Sequence, residues 1–279
     1  MTTVMRSSGS DNCTLVMTSM HMHHYDGNCH CGHYRFTVSL PEEIRSAISC
    51  TCSLCTKKGL PVVGSTRGEL SLWQYEVKET VDMCVVGEHS AGALKGTFLV
   101  NVRAIQGVNP FDIEAAITTA NTEDGQQTTG SIDTGPPNTF SCHCGNVKAT
   151  LNVPLHDQEA KEDNCSRCVR TGYIGVYPTK GEVSIPASSS ENSFAYGGRY
   201  GGGSSHCKTC GVFVFDEVVG PPISVFDNVS PERREHLLGV YHKNMSLQPL
   251  NVRCVEGVDL GSLDIQRLDE GTEGYTLDQ

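Results

Sequence analysis

The sequence predicts a mainly β protein made of two tandem zinc-binding β domains with short helices. Three observations carry that expectation: cysteine motifs that recur at a fixed distance, apolar residues alternating over short segments, and glycine-rich turns between them.

The chain has 279 residues, enough for two domains of about 100–150 residues, each burying its own core. Hydrophobic residues make up 38% and charged residues 19%, with 29 glycines against 12 prolines, which indicates a globular, loop-rich chain. The formal net charge of −11 provides no basic face for a phosphate backbone, so nucleic acid is not an expected partner. Met1 to Met20 contain one basic side chain, Arg6, and no sustained apolar run. Neither a secretory signal nor a membrane anchor is expected, and the assigned location is the cytoplasm, with the nucleus as the alternative. In such a reducing compartment, 14 cysteines in close-set pairs read as metal ligands rather than disulfides.

Adding 113 to the residue number carries Cys29 onto Cys142, Cys31 onto Cys144, Cys52 onto Cys165, Cys55 onto Cys168 and Gly59 onto Gly172. The offset still holds where Thr66 to Leu72 aligns with Thr179 to Ile185. Further on, Asn101-Val102-Arg103 recurs as Asn251-Val252-Arg253, an offset of 150, so the first copy is shorter by 150 − 113 = 37 residues. The loss lies between Leu72 and Asn101 and removes the counterpart of Cys207-Lys208-Thr209-Cys210. The predicted organisation is a flexible N-terminus (1–23), a shortened first zinc-binding domain (24–120), a linker (121–138), a second zinc-binding domain (139–270) and an acidic tail (271–279).

Tyr34 to Val38 and Val147 to Val153 alternate in the manner of half-buried strands, and Val212 to Phe215 is a short apolar strand candidate. Ser230-Pro231, then Glu232 to Leu238, then Gly239 gives a cap, a first-turn proline and a glycine stop, which predicts a short helix. Asn109-Pro110 starts a second candidate helix through Ala116. Pro186 to Ser205 reads as a Ser- and Gly-rich loop, and Gly261 to Gln279 as an acidic end without structure.

The chemistry concentrates in the cysteines. Cys142, Cys144, Cys207 and Cys210 form two close pairs able to complete a closed tetrahedral zinc site, which clamps distant segments. Cys50, Cys52 and Cys55 supply three thiolates without an obvious fourth ligand. Such a site either stays open to water or a substrate thiol, or is closed by a distant histidine or cysteine. In the second copy Asp163 replaces the first thiol of Asp163, Cys165 and Cys168, and a carboxylate ligates only if it turns inward. Cys29 and Cys31 have lost their partner pair; Cys84 and His89 in the shortened segment are the nearest substitutes. His21, His23 and His24 read as surface residues rather than ligands. Lys57, Lys58 and Arg67 follow the three-thiolate motif; they form a solvated positive face or else neutralise the carboxylates of an anionic thiol.

With Gly27-Asn28-Cys29-His30-Cys31-Gly32, Cys50 to Cys55 and His206-Cys207-Lys208-Thr209-Cys210-Gly211 in order, the chain resembles the glutathione-dependent formaldehyde-activating enzyme family, which includes centromere protein V. The resemblance covers Tyr25 to Ala116 and Phe140 to Leu268. It implies a mostly β fold with two zinc ions per domain, one held by four cysteines and one by three, the latter associated with joining glutathione and formaldehyde. It also implies a carbon–sulfur lyase with Zn2+ as cofactor and glutathione or a similar small thiol as partner. The sequence departs from the family in that neither copy holds both complete sites and His206 stands at a usually aromatic position. The competing reading is a non-catalytic, duplicated zinc scaffold that serves interaction.

Overall fold

In the computed structural model, the structure describes residues 21–30, 32, 34–59, 61–65, 70–74, 86–88, 98–109, 114–116, 135–198 and 200–268. The first repeat contains β1 (His23–Asn28), β2 (Tyr34–Leu40), β3 (Ser46–Ser49), α1 (Ser53–Lys58), β4 (Pro61–Ser65), β5 (Leu70–Gln74), β6 (Val86–Glu88), β7 (Phe98–Asn101) and β8 (Glu114–Ala116). The second contains β9 (Asn138–Ser141), β10 (Lys148–Leu151), β11 (Ala160–Asp163), α2 (Ser166–Thr171), β12 (Gly175–Val176) and β13 (Val183–Ser184). It continues through α3 (Ala187–Glu191), β14 (Ser193–Gly197), β15 (Gly203–Cys207), β16 (Phe213–Glu217), α4 (Pro231–Met245), β17 (Leu250–Asn251) and β18 (Ile265–Leu268).

The duplication read from sequence is a duplication of topology. The three-stranded sheet β1-β2-β5 recurs as β9-β10-β13, and the five-stranded order β6-β7-β4-β3-β8 recurs within the larger sheet as β16-β17-β12-β11-β18. Even the closing bridges match: Gly27 pairs with Ile105, and Phe140 with Val255. In both copies an asparagine, Asn101 or Asn251, accepts from the arginine N–H two residues on and turns the chain into a 3-10 turn, Val102–Ala104 or Val252–Cys254. Alternation of apolar residues fills a core in each repeat. Phe36, Val38, Val100 and Ile105 pack the first, and Phe140, Leu151, Val176, Phe215 and Leu250 the larger second. Each such side chain removed from water contributes about 1.5–3 kcal/mol.

Register also locates the shortening. Val86 opposite Val100 takes the place of Phe215 opposite Leu250, an offset of 215 − 86 = 129. The 37 missing residues therefore fall in two pieces, 129 − 113 = 16 before β6 and 150 − 129 = 21 after it. The first piece falls within residues 186–214 of the second repeat, the span that holds the β14–β15 hairpin and Cys207, and the second within 216–249, the span that holds α4.

Strands β2, β10 and β16 lie where alternation places them, but four sequence expectations are corrected. Pro186 to Ser205 is not a loop: it holds α3 and most of the hairpin β14–β15, where Ser204 and Ser205 are fully buried. The segment ending at Ala116 closes as β8, paired in parallel with β3, so tertiary pairing overrides its helical signal. Helix α4 runs past Gly239 to Met245, since an exposed glycine there costs only about 1 kcal/mol and no other stop signal intervenes. Residues 265–268 form β18, parallel to β11, rather than an unstructured acidic end. Asn138, assigned to the linker, already belongs to β9; the linker residues 121–134 and the tail 271–279 lie outside the described residues.

The repeats are docked reciprocally. Lys57 on α1 donates to the Ser141 carbonyl at 2.8 Å, and Arg170, its equivalent on α2, donates to the Asn28 carbonyl at 2.8 Å, the equivalent acceptor. Both helices end on a left-handed glycine, and these two glycines touch. A Cβ on Gly172 would fall 2.7 Å from the Lys58 carbonyl oxygen and 2.9 Å from that of Gly59, and one on Gly59 would fall 2.5 Å from Arg253 Nε. Glu162 pairs with Arg103 across the repeats at 3.1 Å and with the equivalent Arg253 at 3.4 Å, with Glu162 only 7% exposed. Burial pulls both guanidinium groups below the usual arginine range, Arg253 to about 10.

Because the position equivalent to Glu162 is Ser49, one carboxylate serves two buried cations. Glu162→Gln leaves both uncompensated, and the expected loss is about 3–5 kcal/mol in urea unfolding at neutral pH. A loss below about 1 kcal/mol would mean that water screens the cluster.

Candidate metal centres

Three groups of side chains bring their ligand atoms within 4.8 Å of one another: Cys142, Cys144, Cys207 and Cys210; Cys50, Cys52 and Cys55; and Asp163, Cys165 and Cys168. Local structure explains each convergence.

The four-cysteine group is built from two turns. Cys142 follows β9, and its turn closes on Gly145; Cys207 ends β15, and its turn closes on Gly211. Within the turns, the N–H of Val147 donates to Cys142 Sγ at 3.3 Å and that of Thr209 to Cys207 Sγ at 3.4 Å. Backbone donors aimed at sulfur favour thiolate. Cys144 Sγ lies 3.5 Å from both Cys142 Sγ and Cys207 Sγ, close to the ~3.8 Å edge of a tetrahedron with Zn–S bonds of about 2.3 Å. The donor set and spacing fit zinc in a closed, structural role. A hydrogen bond with Cys142 pushes the Cys210 thiol down to about 4, while the same bond and burial push Cys142 up.

In the three-cysteine group, Cys50 follows β3, Cys52 is the N-cap of α1 and Cys55 sits in its first turn. Cys52 Sγ accepts the Cys55 N–H at 3.5 Å. Strand end, cap and first turn thus bring three sulfurs to one point, with the positive end of a helix beside them. Cys50 and Cys55 are buried and Cys52 half-buried, so one sulfur faces outward. No fourth ligand joins the group among the described residues. The hydrogen bond with Cys52 and burial push the Cys55 thiol up, and burial raises Cys50.

The third group repeats this geometry on β11 and α2. The Asp163 carboxylate does turn inward, so the aspartate that sequence left in doubt stands where Cys50 does in the first copy. A hydrogen bond with Cys168 brings the Cys165 thiol down to about 7, while Cys168 is pushed up. One oxygen and two sulfurs make a harder, less negative donor set than three sulfurs.

Cys29 is buried and joins no three-ligand group among the described residues. Its partner Cys31 and the substitutes Cys84 and His89 lie outside the described residues, as does Arg67. His24 bonds Ser39 Oγ at 2.7 Å, and neither His23 nor His24 joins a ligand group. Lys57 and Lys58 are not a solvated face: Lys57 is spent on Ser141, and Lys58 is 5% exposed.

His206 keeps the ring character of its position. It stacks between Phe194 and Phe213, at centroid distances of 5.7 and 5.4 Å, and Phe213 in turn meets Tyr173 at 4.9 Å. Strand alternation sends His206 toward this column and Cys207 into the core with Cys142, on the opposite face. The Gly211 carbonyl accepts from His206 Nδ1 at 3.2 Å, and burial lowers the imidazole to about 4. The column reaches Cys168, beside the part-buried ion pair of Arg167 with Asp216 at 2.8 Å. His30 of the first repeat arrives there too, with Nδ1 3.1 Å from Ser166 Oγ. Sequence reasoning missed Tyr173, Asp216 and His30, because cross-strand and cross-repeat neighbours leave no short-range motif.

Three metal ions per chain are expected in native mass spectrometry. Cys207→Ser, Cys52→Ser and Asp163→Ala should each remove one, Cys207→Ser with the largest loss of stability. Metal must displace protons that burial and mutual hydrogen bonding hold on Cys55, Cys142 and Cys168. Affinity therefore rises with pH, and acidification from pH 7 to pH 5 should release metal to a chelator.

No helix among the described residues is long and apolar enough to cross a membrane. No family model and no curated protein matches the chain. Among solved structures it is similar to a crystallised Rhodobacter sphaeroides protein, at 20% identity and a TM-score of 0.33, over 47% of this chain and 99% of that one, a likeness too slight to carry an argument.

Proposed function

We propose that the protein is a zinc-dependent, carbon–sulfur lyase-like enzyme of the formaldehyde-activating type, acting on the adduct of glutathione or a similar thiol with formaldehyde or another small electrophile. The observation that carries this reading is the convergence of Cys50, Cys52 and Cys55 with no fourth ligand among the described residues. The four-cysteine group is the closed counterpart. Zinc held by three thiolates would keep an incoming thiol deprotonated at neutral pH, where a free thiol near pKa 8.5 is mostly protonated. Attack of that thiolate on an aldehyde carbon forms the C–S bond and breaks the C=O π bond, and the oxygen takes up the proton that the thiol gave away. The reverse sequence cleaves the adduct.

One observation favours a second reading, a non-catalytic zinc scaffold: Cys50 and Cys55 are only 3% and 7% exposed, which leaves Cys52 as the main approach to the group. Exchange between glutathione and its formaldehyde adduct, followed by NMR on the zinc-loaded chain, separates the two. The enzyme reading expects faster exchange than in buffer and a fall of at least about 100-fold in the added rate for Cys52→Ser. A scaffold would give no acceleration, with Cys52→Ser lowering only metal content and stability.

A further inference from the structure

We infer that Lys58 of the first repeat is the counter-cation of the four-thiolate centre in the second, so that metal held by Cys142, Cys144, Cys207 and Cys210 fastens helix α1 in place. The inference rests on the metal reading of that closed group and not on catalysis.

Lys58 is the last residue of α1 and is 5% exposed. Among the described residues no hydrogen bond or ion pair of its ammonium is seen; its charge acts on the neighbouring His206 imidazole, whose ring bonds the Gly211 carbonyl. Isolated buried ammonium groups are costly enough that proteins pair or neutralise them. The side chain extends over Gly211 of the other repeat: a Cβ there would stand 3.3 Å from Lys58 Nζ and 3.8 Å from Cε. Gly211 directly follows the ligand Cys210 and donates its N–H to the Cys207 carbonyl at 2.9 Å. Lys58 therefore covers the turn that carries two of the four thiolates. A divalent ion with four thiolates has a net charge of about −2, and the compensation acts through space, since Nζ makes no hydrogen bond to a sulfur among the described residues. The three-thiolate group starts at the opposite end of α1, with Cys52 about 9 Å and Cys55 about 4.5 Å from Lys58 along the helix axis, so the test must read the two sites separately.

The duplication supplies an internal control. Lys57 and Arg170 occupy equivalent positions and make equivalent bonds, so that pair serves docking in both directions. The equivalent of Lys58 is Thr171, whose hydroxyl bonds the Arg167 carbonyl of its own helix at 2.8 Å. Thr171 belongs to the helix docked on the first repeat, where no four-thiolate group forms among the described residues. The cation is thus present where the opposing repeat carries the four-thiolate group and replaced by a neutral residue where no such group forms among the described residues.

The test uses the full chain as wild type, Lys58→Met and Lys58→Arg, each zinc-loaded and zinc-free. Zinc affinity of the four-thiolate site is read by chelator competition, with cobalt(II) absorption identifying the site. Lys58→Met should weaken that site about tenfold or more, and Lys58→Arg should restore most of the affinity. Lys58→Met should also lower the melting temperature of the zinc-loaded chain but leave that of the zinc-free chain unchanged or raised, because an unpaired buried charge has been removed. Equal destabilisation in both states, or unchanged affinity, overturns the inference and leaves Lys58 as packing. Should Lys58→Met fail to fold, Lys58→Gln takes its place under the same criteria. A chain that takes up no zinc in any form overturns the metal reading together with this one, whereas zinc uptake without thiol–aldehyde exchange overturns only the catalytic reading.

Discussion

The contact on which the rest of the structure depends is the meeting of two helix ends, Gly59 and Gly172, where the repeats approach so closely that neither position has room for a side chain. Both glycines adopt left-handed conformations to end α1 and α2, which is the ordinary reason for glycine after a helix. The absence of a Cβ then does a second job, letting one backbone lie against the other. Lys57 and Arg170, two residues earlier, reach across to equivalent carbonyl groups, so the docking is self-complementary in the way of a two-fold dimer fused into one chain. Each helix that follows an open ligand group is thereby held by the turn that precedes the opposite cysteine pair.

Symmetry of the backbone throws the asymmetry of the side chains into relief. Glu162 faces both Arg103 and Arg253, while the equivalent Ser49 faces neither as an anion. Asp163 replaces the thiol of Cys50, and Thr171 replaces the ammonium of Lys58. In a duplicated fold such differences cannot be ascribed to the requirements of the backbone, which are the same in both halves. They point instead to different charges at the two ends of the interface: among the described residues, a four-sulfur group on one side, and a cluster of arginines needing a carboxylate on the other.

Much of this was legible in the sequence because the relevant signals are short. Cys-x-Cys-x-x-Cys prescribes a strand end, a cap and a first turn, and close cysteine pairs followed by glycine prescribe metal-binding turns; the three groups follow. The offset of 113 residues predicted a repeated topology, which the strand orders reproduce. What escaped were features decided by partners far along the chain. Pro186 to Ser205 is rich in serine and glycine, and composition alone reads that as a loop. Its small side chains instead allow a buried hairpin that delivers Cys207. Whether Asp163 would turn inward, and that Lys57 and Lys58 would be drawn into an interface rather than left in water, depended on a second repeat whose placement no local pattern encodes.

The same geometry limits how the two halves can have diverged. The shortening of the first repeat removed the counterpart of the Cys207–Cys210 pair, which in an isolated domain would free the turn beside Cys29. Here that turn is gripped from outside, since Arg170 bonds both the carbonyl and the side chain of Asn28, which also accepts from Gln106 at 2.7 Å. The second repeat thus supplies by hydrogen bonding some of the order that the four-cysteine group, once metal-loaded, would supply in the complete copy. Direct bonds between helix and turn tolerate decay of the first repeat's closed group, but they do so only while α2 keeps its place. The ligand group at the start of α2 therefore bears on the integrity of both repeats, even though its aspartate makes it the less thiolate-rich of the two open groups.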